Sequence, residues 1–354
     1  MRHTMNMLAS LILPPLSAIY SVVTRARVTA YQRGWFSVSK LSVPVISVGN
    51  LTTGGTGKTP MVEWVCNVVA RETGKKVCVL TRGYGRDNPR SQVLVSDGSK
   101  LLAGERESGD EPYLLARNLS GIAAVISNPD RVAAGEWAIK NLGSEVFVLD
   151  DGFQHLSLAR DLNIVTIDAT NPWGGGSLLP YGRLREPRAG LSRADCIVVT
   201  RTEQVEDTAS LCESVQRLAG AIPVFTSQMM TSGIRRLNGE TVSNESLRAQ
   251  PVAAFCGVGN PESFFNQMRQ EGYAPVFTHA FADHHDYNQT DLNRLIKEAK
   301  DQGASGLMTT AKDALKLASL ELELPCYVLE IEISIADDAR LVKMIQAACQ
   351  NREQ

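Results

Sequence analysis

The sequence has no CxxC pair, no acidic residue before Glu63, no internal repeat and no low-complexity tract. Each absence removes a class of protein. The seven cysteines (Cys66, Cys78, Cys196, Cys212, Cys256, Cys326, Cys349) are scattered, which argues against a disulfide framework or a zinc cluster. They read instead as small apolar core residues in a reducing compartment. Net charge is only −2, from 36 basic and 38 acidic residues, so bulk attraction to nucleic acid is not expected. The longest apolar stretch, LASLILPPLSAIYSVV at 8–23, carries Pro14-Pro15 in its middle. A continuous spanning helix is expected to break there.

The missing acids leave the N-terminus basic. Residues 1–62 hold Arg2, Arg25, Arg27, Arg33, Lys40 and Lys58 and no Asp or Glu. This composition suggests contact with anionic lipid or a phosphorylated substrate, a solvated basic face being the plainer reading. The apolar stretch fits a segment lying on a membrane surface. Leu8, Leu11, Ile12, Ile19, Val22 and Val23 would dip inward, with Arg25, Arg27 and Arg33 among the headgroups. A helix packed on the protein itself is the alternative. A secretory signal peptide is the other reading of the N-terminus, and a cytosolic nucleotide site argues against it.

What the chain does have is alternation. Short apolar, β-rich runs at 43–48, 77–81, 122–127, 146–150, 164–168 and 196–200 are separated by helix-like stretches, notably 58–71 and 111–119. A second series follows at 252–256, 275–278, 307–310 and 327–331, with helices near 261–271 and 291–301. The fold class expected is α/β: a P-loop NTPase-like parallel sheet flanked by helices, with a second, smaller α/β lobe. The divisions expected are an apolar and basic segment over 1–40, a P-loop domain over 41–205 and a C-terminal lobe over 206–354. A Gly/Pro-rich stretch, 171–190, reads as a long functional loop.

The phosphate signal is VGNLTTGGTGKTP at 48–60. Thr52, Thr53, Gly54, Gly55, Thr56 and Gly57 would curl so that backbone N–H groups surround phosphate oxygens. Lys58 would reach the β- and γ-phosphates of ATP, and Thr59 would place its hydroxyl on Mg²⁺. The helix starting near Lys58 adds its positive end. The GxxxxGK[ST] pattern asks for glycine where this chain has Thr52. Farther on, EVFVLDDGFQH ends an apolar strand with Asp150 and Asp151, as a Walker B element does when a carboxylate serves Mg²⁺.

Taken together and in order, GNLTTGGTGKTP, TRGYGR (81–86), GDEP (109–112), DDGFQH (150–155), GSLLPYGRLREP (176–187) and FADHHDY (281–287) resemble the tetraacyldisaccharide 4′-kinase family, the lipid A kinases of Gram-negative bacteria. The resemblance covers roughly 43–316. It implies transfer of the ATP γ-phosphoryl group to the 4′-hydroxyl of a tetraacylated glucosamine disaccharide 1-phosphate, giving lipid IVA. It also implies a peripheral protein, here expected as a monomer, on the cytoplasmic face of the inner membrane. On this resemblance Asp110 is the general base and His284 orients it from the second lobe, with His285 adjacent. Asp110 could otherwise simply cap the helix that follows. Glu111, Asp150 and Asp151 become Mg²⁺-associated carboxylates with Thr59. Gln154, Arg82, Arg86, Arg183 and Arg185 become candidates for binding phosphate or substrate, arginine being suited to bidentate phosphate contact. Lys312-Asp313, in TTAKDALK, is assigned loosely to adenosine binding.

The main rival is a membrane-associated regulatory P-loop ATPase of the partitioning class. Those proteins carry a signature Lys where this chain has Thr53. A metallochaperone GTPase would need an Asn-Lys-x-Asp element, and a soluble P-loop ligase would not need the acid-free apolar N-terminus.

Overall fold

A computed structural model describes residues 2–350, with side chains described from Ile12 onward. The strands are β1 (Val45–Asn50), β2 (Val77–Thr81), β3 (Val93–Ser96), β4 (Ala123–Ser127), β5 (Val146–Asp150), β6 (Leu162–Asp168), β7 (Cys196–Thr200), β8 (Val224–Arg236), β9 (Val252–Cys256), β10 (Phe277–Ala280), β11 (Gly306–Thr310) and β12 (Cys326–Ile335). The helices are α1 (Arg2–Gln32), α2 (Lys58–Thr73), α3 (Glu105–Ser108), α4 (Asp110–Asn118), α5 (Arg131–Leu142), α6 (Thr208–Ala219), α7 (Asn244–Arg248), α8 (Pro261–Gln270), α9 (Gln289–Asp301), α10 (Ala311–Lys316) and α11 (Asp338–Gln350).

The chain forms two compact units. The first runs to Ser227 and takes in the C-terminal helix α11; the second covers Gln228–Ser334. The division therefore falls inside β8 and at the end of β12, not at 205/206. The C-terminal segment is split as well. α11 packs on α2 and β1, with Lys75 Nζ donating to the Cys349 carbonyl at 3.0 Å. Its buried Leu341, Ile345, Ala348 and Cys349 line one face, so the helix is held by the first unit's core.

In the first unit the strand order is β8-β7-β6-β1-β5-β2-β4-β3, parallel except for β3 at the edge. β1, β2, β4, β5, β6 and β7 are buried at every position, as expected when helices cover both faces of a parallel sheet. The central strand is β1, between β5 and β6. In register, Val48 pairs with Asp150, which sets the end of the acidic strand beside the start of the glycine-rich loop. The second unit arranges β10, β9, β11 and β12 in that order, all parallel.

α1 departs from expectation. It continues as one helix through Pro14 and Pro15. Tertiary anchors hold it just beyond the prolines: Ser17 Oγ donates to the Leu178 carbonyl at 2.8 Å, and the Tyr20 hydroxyl donates to the Arg185 carbonyl at 2.9 Å. These fixed points compensate for the missing backbone donors of the two prolines. The other side of α1 leaves Ile12, Leu16, Ile19, Val22 and Val23 exposed, Val22 by 67%. Leu8 and Leu11 lie outside the described side chains. Among the described residues no helix is long and apolar enough to cross a membrane.

Candidate active site

The site is built at the C-terminal ends of β1, β2, β4 and β5, where parallel sheets present their loops. Leaving β1, the chain turns through Gly54 (φ 109°) and Gly57 (φ 79°), left-handed conformations that glycine adopts without cost, and enters α2 at Lys58. A hydroxyl and amide network supports the turn from beneath. Asn50 Nδ2 donates to the Thr52 carbonyl at 2.7 Å and to Thr56 Oγ1 at 2.8 Å, and Thr56 Oγ1 lies 3.1 Å from Thr166 Oγ1. Arg201, paired with Asp168 at 2.6 Å, also donates to the Gly55 carbonyl at 2.7 Å. Asn50 and Arg201 escaped the sequence reading. The position of Asn50 directly ahead of the loop was the available signal, whereas nothing local marked Arg201.

The start of the loop pairs with the 171–190 segment. The Thr53 amide donates to the Arg183 carbonyl at 2.7 Å, and the Arg185 amide donates to the Leu51 carbonyl at 2.7 Å. Thr52 forms an antiparallel bridge to Leu184. Thr52 and Thr53 thus brace the loop against residues 171–190, and the Thr53 amide is spent on that contact. The buried Thr56 hydroxyl also faces the support network. Gly54, Gly55 and Gly57 complete the turn, and Lys58 and Thr59 open α2.

Packing around the loop leaves no slack. A Cβ on Gly49 would stand 2.6 Å from Phe153 Cβ, and one on Gly152 would stand 2.6 Å from both Leu149 Cβ and Ser47 Oγ. The GN and DDGF segments are thereby locked together. A similar close approach joins TRGYGR to GDEP: a Cβ on Gly109 would lie 2.6 Å from the Tyr84 carbonyl oxygen.

The carboxylates divide into two electrostatic settings. Asp150 is buried and accepts from Thr81 Oγ1 at 2.9 Å. Burial, then the nearby charges of Glu111 and Asp151, push its carboxyl up to about 6, against the opposing pull of Lys58. Burial also works against the Asp151 charge, but Lys58, Arg185 and Arg131 outweigh it and hold that carboxyl below its usual value. Asp151 has a left-handed backbone, φ 54°, and sits 3.8 Å from Lys58 Nζ and 2.6 Å from Arg185 Nη1. Its oxygens are engaged by cations, which sets it in the charge balance around Lys58. Arg131, buried at the start of α5, adds a guanidinium to the same field. Sequence reasoning missed it, since an arginine opening a helix carries no motif.

Asp110 is the first residue of α4, buried, with Oδ1 accepting from the Glu111 amide at 2.9 Å. The helix cap position itself is Gly109, whose φ of 93° suits glycine. The arginines separate sharply. Arg86 is buried, with Nη1 on the Ser127 carbonyl (2.8 Å) and hydroxyl (3.0 Å) and Nη2 on the Pro89 carbonyl (2.9 Å). It is a scaffold residue and corrects the phosphate-binding expectation. Gln154 is likewise a brace, donating to the Asn50 carbonyl at 2.9 Å and to Glu186 at 2.8 Å. Arg185 is the partner of Asp151, as above. Arg82 is exposed and stacks over Tyr84, 5.0 Å from the ring centre, and Arg183 is half-buried in the 171–190 loop.

In the second unit, the two histidines of FADHHDY have different fates. His285 stacks on Phe281 with centroids 4.6 Å apart, and its Nε2 lies 2.9 Å from Asp291. His284 has a left-handed backbone, φ 60°, and a more exposed ring, with Nε2 at 3.3 Å from Lys312 Nζ. Asp313 is buried under the loop and does not offer its carboxylate to a nucleobase.

Residues 9–350 match the family LpxK: Tetraacyldisaccharide-1-P 4′-kinase. The chain belongs to this family. It is 42% identical over 328 residues to the tetraacyldisaccharide 4′-kinase of Geobacter metallireducens, covering 92% of this chain and 94% of that one. The Geobacter sulfurreducens tetraacyldisaccharide 4′-kinase is also 42% identical, with 92% and 89% covered. The crystal structure of LpxK from Aquifex aeolicus in complex with ATP superposes with a TM-score of 0.76 at 32% identity, covering 97% of this chain and 99% of that one. Membership gives the loop, the paired acids and the GDEP segment a common setting in a kinase family.

The oxygen donors suit a hard cation. No group of three His, Cys, Asp or Glu that could hold a metal occurs among the described residues. Mg²⁺ does not require such a cage, because it keeps waters and binds through one or two carboxylates together with substrate phosphates. Asp150, Glu111 and the Thr59 hydroxyl are the donors that fit.

Proposed function

We propose that this chain transfers the γ-phosphoryl group of ATP to the 4′-hydroxyl of a tetraacylated glucosamine disaccharide 1-phosphate, giving lipid IVA. The setting proposed is the cytoplasmic face of a Gram-negative inner membrane, with the protein acting as a peripheral monomer. One chain of contacts carries the reading. Exposed apolar residues lie on α1; Tyr20 of that helix bonds the Arg185 carbonyl; Arg185 grips Asp151; and Asp151 lies 3.8 Å from Lys58. A greasy surface is thus joined through three side chains to the phosphate loop. A groove lined by Ala26, Arg27, Ala30, Tyr31, Trp35 and Phe36 extends the apolar surface, with Trp35 69% exposed. Exposed aromatics beside Arg27 and Arg33 suit the boundary between acyl chains and headgroups.

In this reading the amides of residues 54–57 and Lys58 hold the ATP phosphates, and the N-terminus of α2 adds its dipole. Asp150, Glu111 and Thr59 would hold Mg²⁺, which when bound would supply positive charge to the phosphate oxygens. Asp110 accepts the proton of the 4′-hydroxyl as the new O–P bond forms and the γ-phosphate separates from ADP. Arg82 and Arg183 serve the acceptor's phosphate, and His284 acts as a catalytic residue, as the family resemblance implies.

The test is direct. Purified protein, radiolabelled ATP, Mg²⁺ and the disaccharide lipid are incubated and resolved by thin-layer chromatography. Label is expected in the lipid. ATP hydrolysis at the same rate with or without acceptor, leaving the lipid unlabelled, would overturn the reading in favour of a regulatory ATPase.

A further inference from the structure

A buried carboxylate with no part in the proposed chemistry fastens the loop that carries His284. Asp313, 1% exposed, accepts from the Gly257 amide at 3.0 Å, from the Tyr287 hydroxyl at 2.9 Å and from the Thr310 hydroxyl at 2.6 Å. The Gly257 carbonyl accepts from the His284 amide at 3.1 Å. A Cβ on Gly257 would meet the Ala282 carbonyl, Asp313 Oδ1 and the Tyr287 hydroxyl, each at 3.1 Å. One residue after β9, Gly257, is therefore clasped through both its N–H and its carbonyl, and residues 281–287 are tied through it to α10.

Lys312 stands next to this clasp. Its Nζ lies 3.3 Å from His284 Nε2 and 3.9 Å from Asp283 Oδ1, which stands farther off, at 4.0 Å, from the same Nε2. An ammonium has protons to give and no lone pair, so in this contact Nε2 must be the acceptor. The ring proton then sits on Nδ1. The lysine one turn later behaves differently: Lys316 Nζ donates to the His285 carbonyl at 3.1 Å and so grips backbone. His284 also holds a positive φ, a conformation that persists only where the surroundings impose it. The His284 amide bonds to Gly257, which is itself held by Asp313 of α10, and Lys312 of the same helix meets the His284 ring.

We propose that Lys312 is a positioning residue for phosphoryl transfer, holding His284 as a neutral imidazole with its N–H on Nδ1 and its ring in a single orientation. The inference rests on the reading of His284 as a catalytic residue. Asp313 supplies the rigid base for this arrangement, and Lys312 sets the proton.

The experiment combines spectroscopy with kinetics on the full chain. Long-range proton–nitrogen correlation spectra of ¹⁵N-histidine-labelled protein should show His284 with Nδ1 protonated and Nε2 bare. Lys312→Met should abolish that single-tautomer pattern and lower kcat by roughly 10–100-fold, the scale for a misplaced catalytic group, with little change in KM for ATP. Lys312→Arg, which keeps a donor, should restore most of both. His284→Ala combined with Lys312→Met should be no slower than His284→Ala alone, because Lys312 acts through the ring. An Nε2-protonated ring in the wild-type protein, or a Lys312→Met variant with unchanged nitrogen shifts and kcat, would overturn the proposal. Should His284→Ala turn over at the wild-type rate, the catalytic reading of His284 fails instead. The nitrogen spectra of Lys312→Met still decide whether Lys312 fixes the ring.

Discussion

Arg185 donates from a single nitrogen, Nη1, to both carboxylate oxygens of Asp151, at 2.7 and 2.6 Å. The pair is largely shielded from solvent, and the third member, Lys58, is held 3.8 Å from the same carboxylate. Removing Arg185 takes away the cation nearest to Asp151, whereas replacing both members removes the two opposed charges together. Arg185→Met is expected to lower unfolding stability by about 3 kcal/mol in a denaturant titration. Arg185→Met with Asp151→Asn should recover most of that loss. Strict additivity of the two single effects would show that the pair is not coupled.

Asp110 is placed by a helix start and by the glycine turn before it, which fixes its position independently of the nucleotide loop. Asp110→Asn keeps the size of the side chain and removes its basicity. A fall in kcat of about 10²–10⁴-fold is expected, with KM for ATP unchanged. Near-normal turnover would move the base role elsewhere.

Asp150 gives a pH signature. Its carboxyl is pushed up to about 6 by burial first and then by Glu111 and Asp151. For an acid raised in the folded state, the native protein binds the extra proton between the unfolded value near 4 and the folded value near 6. Stability therefore falls as pH rises through that window. Asp150→Asn, which can still accept from Thr81, removes the penalty. In Mg²⁺-free buffer it should be more stable than wild type by roughly 3 kcal/mol at pH 7.5 and by nothing below pH 4, while losing turnover. An equal difference at both pH values would contradict the assignment.

The apolar side of α1 makes the membrane reading testable without disturbing its docking contacts. Ile19 and Val23 are exposed, by 60% and 59%, away from the Ser17 and Tyr20 anchors. Burying such side chains contributes about 1.5–3 kcal/mol each. Ile19→Glu with Val23→Glu should reduce co-sedimentation with phosphatidylglycerol-rich vesicles by on the order of 10²-fold. Unaltered binding would remove α1 from the membrane account.

The sequence disclosed the parts of this molecule that depend on neighbours along the chain. β1, β2 and β4 to β7 are mostly apolar and buried throughout, the mark of strands covered on both faces, and the glycine loop announces itself by spacing. α5, α6 and α11 went unnamed, as did the short edge strand β3. β8 alternates buried and exposed residues across the boundary of two units, and no composition change marks it. The site shows the same limit. Arg82 and Arg86 lie four residues apart in TRGYGR, yet one is exposed over Tyr84 and the other is enclosed by Ser127 and Pro89. Burial by distant segments decides between them. The bonds from Thr53 to Arg183 and from Arg185 to Leu51 join positions about 130 residues apart, and no local pattern encodes such a pairing.

The return of α11 to α2 and β1 has a consequence for biogenesis. Domains generally fold as units while the chain emerges from the ribosome, N-terminal parts first. Here the helix that follows the phosphate loop gains its last covering element from residues 338–350, synthesised after the whole of the second unit. Until then α2 offers uncovered apolar surface to the cell's chaperones and proteases. A premature stop that spares every motif residue would still leave nascent nucleotide-binding units open to degradation.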